Sequence, residues 1–358
     1  MTFLDSSVCF VKALASVAVA LPASPVMKPT KSDQRAPVFS LLRPQYSAYN
    51  PEEPLRSFEH SPLFQAFSPV WTGTFNGSWL VDFLGTRTAY EYDCENIERY
   101  RIWHLSRRIP CARQDLFRAT NLTDAILGEF PIVDEEYFEW LPLLRVTTRY
   151  AELVHKRLVH RPFGVIELGA RYGTWVARGG MAVRRLVPDA KVKLLAVEAD
   201  QTGHQWLLNH LLENRFDAGS AVRGFVSDAD GSATFSAREK QSPSVETVPS
   251  YSVSTLLSNF SIVDIIHCDI QGAENVFLND KILALMHEKV KAIHFGTHGV
   301  HLHDRLLSKF LDKGWKVIEN MQVGGGTLPG RVELTPHGPI RILWDGMLTV
   351  ENPALNDA

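Results

Sequence analysis

The sequence lacks several features that would settle its class at once. It has only four cysteines in 358 residues, Cys9, Cys94, Cys111 and Cys268, and no CxxC pair. That spacing supports neither a zinc ribbon nor a disulfide framework and reads as free thiols in a reducing compartment. There is no positive excess either, since the net charge is −3. Nucleic-acid binders usually carry a clear basic surplus, so the charge points to a small-molecule or neutral partner and no nucleic acid. Long apolar runs are missing as well. Ala13 to Leu21 covers nine residues, too few to cross a bilayer, so no membrane span is expected.

What remains is ordinary globular composition, 45% hydrophobic and 22% charged. A chain this long exceeds what one core usually supports, which favours one large domain plus an appendage, or two domains. Residues 1–62 read as a tail and linker: Asp33 is the only acid between residues 10 and 50, among scattered Pro, Ser and Lys/Arg. Such a bias fits an unstructured tail, and also a signal or transit segment, so the expected location is intracellular, cytoplasmic or organellar. Residues 63–160 are aromatic-rich and carry "DEEYFEWLPLL", with Asp134 as a helix cap, so they are expected to form a mostly helical cap subdomain. Residues 351–358 read as a short tail.

The texture changes after Pro162. Short apolar runs that suit buried parallel strands, "FGVIEL", "KVKLLAVEAD", "SIVDIIHCD" and "KAIHFGTHG", alternate with helix-length pieces over residues 161–350. "WKVIEN" and "IRILWDGMLTV" follow with no helix between them, so they must pair antiparallel at an edge. The predicted fold is α/β: a doubly wound, mostly parallel, Rossmann-like sheet of seven strands with an antiparallel C-terminal hairpin, plus the N-terminal helical subdomain. That order is the class I methyltransferase arrangement.

Ligands of such sheets lie at the carboxyl ends of strands, near the switch point. Four strand ends carry polar residues in chain order: Glu167 with Gly169, Glu198, Ser227 with Asp228, and Asp269. Gly169 and Gly173 let the backbone turn sharply into a helix whose free N–H groups suit an anion. A dinucleotide would want G-x-G-x-x-G, but Arg171 stands where the middle glycine belongs. Glu167 would also repel a pyrophosphate, whereas it would attract the ammonium of S-adenosylmethionine (SAM). Glu198 suits ribose hydroxyls, a role that would serve NAD equally well.

"VIELGARYGTW", "AVEAD", "FVSDADGSATF" and "VDIIHCDIQGAE", in this order, resemble the FkbM family of SAM-dependent O-methyltransferases over roughly residues 160–320. The resemblance implies SAM as cofactor, a class I methyltransferase fold and a hydroxyl acceptor on a small molecule or sugar. It places Glu167, Gly169, Gly173, Glu198 and Asp228 on cofactor-binding positions. Tyr172, Ser227 and Asp269 complete the expected cofactor set. The chain departs from the family at Arg171, where glycine is common, and at His267, where lysine is frequent.

Methyl transfer to oxygen needs a base near neutral pH, and histidine is the natural choice. His298 sits at the probable end of the fifth strand, on the acceptor rim. His267 lies two residues before Asp269, on the same side of its strand. The expected catalytic set is therefore Asp269, His298 and His267. Asp269 and Glu274 with a nearby histidine could hold a divalent metal, though no spaced motif requires one. A nucleotide-dependent oxidoreductase and a non-catalytic SAM-binding scaffold are the rival readings.

Overall fold

The computed structural model describes residues 61–67, 74–75, 79–89, 91–92, 125–126, 135–236, 245–322, 331–335, 338–342 and 346–356. Seven strands form the central sheet: β1 (Phe163–Leu168), β2 (Val192–Glu198), β3 (Ala221–Arg223), β4 (Ile265–Cys268), β5 (Ala292–Thr297), β6 (Lys316–Met321) and β7 (Gly346–Glu351). Their order across the sheet is β6-β7-β5-β4-β1-β2-β3. Strands β3, β2, β1, β4 and β5 pair in parallel, and β7 is antiparallel to both β5 and β6. This is the doubly wound sheet expected from the alternating runs. The order reverses between β1 and β4, which places the ligand-binding crevice at their carboxyl ends.

The period-two alternation of the strands divides the core into two layers. Phe163, Val165, Leu194, Ala196, Ile265 and Ala292 face helices α1 (Glu135–His155), α2 (Thr174–Leu186) and α3 (Gln201–Glu213). Ile166, Leu168, Val197, Ile266, Ile293 and Phe295 face α4 (Val253–Ser258), α5 (Asp280–Lys289) and α6 (Val300–Asp312). Every residue of β1 is buried, as befits a strand covered on both faces.

Several local expectations change. The helical stretch expected at "DEEYFEWLPLL" extends further, as one helix, α1, which runs through Pro142 to His155. The Asp134 cap lies outside the described residues. The described residues between 74 and 126 include a four-stranded antiparallel sheet, not helices. The described residues from Ser61 onward belong to one compact unit. This N-terminal part docks through the buried Arg178 on α2. Its guanidinium lies 3.6 Å from Asp82 and stacks on Trp140 and Trp175. Asn214, just past α3, makes 2.8 Å bonds to both the N–H and the carbonyl of Arg87.

A strand at Val245–Ser252 escaped the sequence reading. It pairs with Phe225–Ser227 and Gly231–Ser236 in a separate three-stranded sheet. A hairpin, Arg331–Thr335 with Gly338–Ile342, likewise intervenes between β6 and β7. The glycines at 324–326 lie outside the described residues.

Candidate functional site

The crevice starts where β1 ends. Gly169 turns with φ +77°, Arg171 with φ +48° and Gly173 with φ +78°, so the chain folds back sharply before α2 begins. These are left-handed conformations that glycine adopts freely and arginine adopts at a cost. A side chain at Gly173 would stand 2.4 Å from Leu207, so α3 also demands glycine there.

Two carboxylates brace this loop. Glu167 is buried in β1, and its Oε2 accepts the N–H groups of Trp175 (3.0 Å) and Val176 (2.9 Å) in the first turn of α2. Glu167 therefore caps the helix from a neighbouring strand, taking amides that the sequence reading left for an anion. Burial pushes its carboxyl up to about 7, opposed by nearby His267 and by the two amide bonds. Glu198 ends β2. Its Oε2 accepts Arg171 N–H at 2.6 Å and its Oε1 accepts Asp200 N–H at 2.7 Å. Burial raises its carboxyl, and the backbone donors oppose that. Each oxygen keeps a second lone pair for a hydroxyl donor. The Arg171 side chain is exposed, so the residue joins the loop through its backbone.

The opposite wall is built from the ends of β4 and β5. Asp269 follows β4 and is held by the Gln271 amide, whose Nε2 donates at 2.9 Å. His298 follows β5. Its Nδ1 lies 3.0 Å from Glu274 Oε1, and its Nε2 lies 3.4 Å from Asp269 Oδ1. Glu274 is fully buried, and its Oε1 also accepts the N–H groups of Ile270 and Gly272 at 3.2 Å. It thus secures the turn after β4 and the imidazole together. At Gly272 and Gly299 an added side chain would meet nothing within 4 Å, so both loops border open space. Acids on two strand ends, a glycine loop between them and an open mouth fit a cofactor with hydroxyls and a cationic end.

The structure thus brings Gly169, Gly173, Glu198, Asp269 and His298 to one rim, sets Glu167 buried just below it, and leaves others elsewhere. His267 is buried in β4, beneath the rim, bonded to Glu139 through Nε2 and stacked on Trp175. Burial pushes it down to about 4, against the pull of Glu167 and Asp269. The side chain of Tyr172 packs against Tyr92 and His210 behind the loop. Ser227 and Asp228 do not end a strand of the central sheet. Strand β3 stops at Arg223; beyond Gly224, where a side chain would stand 2.6 Å from Pro249 O, the chain pairs with the Val245–Ser252 strand instead. His303 is core, bonded to Thr297 and Asn320. Two residues have roles beyond the sequence reading. Glu274 anchors His298 as well as the turn after β4. Asp230 braces the start of α4, where Ser252 is the cap, by accepting Ser252 N–H and Thr255 Oγ1–H.

A sheet of this order with acids at these strand ends defines the class I methyltransferase fold. No protein-family model matches the chain. A "putative methyltransferase" of Jannaschia sp. (strain CCS1) is 28% identical over 194 residues, 46% of this chain, and the match spans 66% of that relative's length. Among solved structures, Aeropyrum pernix fibrillarin with natively bound SAM is 12% identical over 56% of this chain and 74% of its own, with a TM-score of 0.30. A "putative RNA methyltransferase" from Pyrococcus horikoshii is 12% identical over 58% of this chain and 80% of its own, with a TM-score of 0.29. The expectation of no nucleic acid does not stand on net charge alone, and the acceptor is not restricted to a small molecule or glycan. A total charge of −3 leaves room for a local basic surface. Among the described residues no helix is long and apolar enough to cross a membrane.

Proposed function

We propose that the chain is a SAM-dependent methyltransferase of the FkbM type that transfers a methyl group to a hydroxyl oxygen. The observation that carries this reading is the Glu274–His298–Asp269 cluster, set beside the glycine loop at the sheet's switch point. SAM, when bound, supplies a methyl group activated on a sulfonium. Glu198 receives the ribose hydroxyls, the 169–173 loop admits the methionine end and Asp269 takes its ammonium. Glu274 accepts the Nδ1–H of His298, so Nε2 is the basic nitrogen, 3.4 Å from Asp269 Oδ1. From there it would take the acceptor hydroxyl proton while the bound cofactor supplied the methyl group. Glu274 acts through His298 and is a positioning residue. The same three groups could hold a divalent cation, but no step above runs through one.

Titrating the purified chain with SAM and with NADH by calorimetry tests the cofactor. SAM binding without NADH binding supports the reading, and the reverse overturns it. Transfer of label from methyl-labelled SAM to hydroxyl-bearing acceptors, small molecules and RNA alike, tests the chemistry. Label found only on nitrogen or carbon would overturn the oxygen assignment.

A further inference from the structure

One layer below the rim, a line of polar side chains crosses the apolar α1–α2 face of the sheet. Strand register places Glu167 opposite His267, His267 opposite His294, His294 opposite Thr349 and Thr349 opposite Glu319. All five are buried or nearly so, and the proposed methyl transfer uses none of the last four. Helix α1 adds Glu139, whose Oε2 lies 2.7 Å from His267 Nε2. The two imidazoles stack with their centroids 5.3 Å apart and their planes within 16°. One ligand atom from each of Glu139, His267 and His294 falls within 4.8 Å of the others. A tetrahedral ion bound at ~2.1 Å spaces its ligands about 3.4 Å apart, inside the range these atoms already span.

Two further observations point to a ligand. His294 is 0% exposed, and its Nε2 has no hydrogen-bond partner among the described residues. Buried polar atoms are rarely left so, and each one calls for a cause. The hydrogen bonds also set the His294 tautomer. Thr349 Oγ1 donates its proton to Glu319 Oε2 at 2.7 Å, so towards His294 it must accept. The proton therefore sits on His294 Nδ1, and Nε2 keeps its lone pair. A histidine whose far nitrogen is tied to a hydroxyl and then a carboxylate is the usual outer support of a metal ligand.

The geometry points to a second, buried metal centre formed by Glu139, His267 and His294, which takes Zn2+ and clamps α1 to β4 and β5. Two imidazoles and one carboxylate suit Zn2+ and disfavour Mg2+ or Ca2+, which prefer all-oxygen shells. Glu139 is the entry side, being the most exposed member, with 20% of its side chain open against 8% for His267. For an ion to enter, the 2.7 Å between Glu139 Oε2 and His267 Nε2 has to open by about 0.7 Å, to the ligand spacing of a tetrahedral site.

The test is metal titration of the full chain after chelator dialysis, with Zn2+ or Co2+ alone as probe. One equivalent of Zn2+ per chain, a higher Tm with metal, and visible Co2+ bands of a four-coordinate site are expected. His294→Gln and Glu139→Gln should both lose the equivalent and the thermal response. Thr349→Val, which removes only the outer support, should weaken binding by about 10–100-fold. Asp269→Asn, which disables the rim cluster, should leave binding unchanged. If His294→Gln does not fold, judged by circular dichroism, Glu139→Gln decides. The proposal is overturned if the native chain takes up no metal, if Glu139→Gln keeps its full equivalent, or if Asp269→Asn loses it.

Discussion

A methyl group on the α-carbon of Gly169 would stand 1.8 Å from the carbonyl oxygen of Asp269. The ends of β1 and β4 are therefore in backbone contact, and Asp269 N–H donates to Leu168 O at 2.9 Å beside them. The loop expected to receive the cofactor and the acid expected to face it form one rigid joint.

Gly169→Ala should break that joint. The left-handed φ alone costs an alanine roughly 1–2 kcal/mol, and the overlap with Asp269 forces β1 and β4 apart. We expect a lower Tm and SAM affinity reduced at least about tenfold in calorimetry. Undiminished affinity would show that the cofactor does not depend on this contact.

His298→Asn should reduce kcat by about 10²–10⁴-fold, the usual contribution of a positioned base, while SAM binding stays intact. Glu274→Gln keeps the shape but not the charge beside Nδ1, and should lower kcat with little change in the KM for SAM. If both variants turn over like the native chain, the base lies elsewhere.

At Arg171 we expect independence of side chain and backbone. The side chain is exposed, so Arg171→Ala should leave SAM affinity unchanged, while the N–H to Glu198 survives. Arg171→Gly removes the cost of φ +48° and should stabilise the fold by up to about 1 kcal/mol in urea unfolding. A large affinity loss in Arg171→Ala would place the guanidinium on the ligand.

His210 predicts acid sensitivity. It is 0% exposed, and burial pushes it down to about 4, although its Nδ1 bond to Tyr172 O favours the proton. Below pH 6.5 the unfolded chain takes up a proton that the native chain refuses, so stability falls as pH drops from 6.5 towards 4. The slope approaches about 1.4 kcal/mol per pH unit for this one group. His210→Gln should flatten the decline between pH 6.5 and 4.5 in urea titrations; an identical slope in both proteins would refute the assignment.

The parallel strands were legible because buried runs such as "FGVIEL" have no other stable home, and the antiparallel edge because no helix separates the last two runs. The acids at the ends of β1, β2 and β4 followed from chain order. What escaped depends on register and on distant partners. Ser227 and Asp228 looked like a strand end, because nothing local shows that Val245–Ser252 will crowd Gly224. His267 and Asp269 are two residues apart, yet the strand ends between them, which leaves one buried and the other at the rim. The tie between Glu274 and His298 did not follow from spacing, because the two are 24 residues apart. The small sheet between residues 74 and 126 is built of strands of two or three residues, too short for any periodicity to show.

The side chain of Tyr172 leaves the cofactor loop backwards, into Tyr92, Trp79, Trp206 and Ala89. Part of that anchorage comes from residues far upstream of the seven-stranded sheet. A fragment cut to begin at α1 would keep every strand of that sheet, yet the loop would rest on water where Tyr92 now lies. The smallest piece that reproduces the native crevice therefore extends back at least to Trp79, and shorter ones would under-report whatever the whole chain binds.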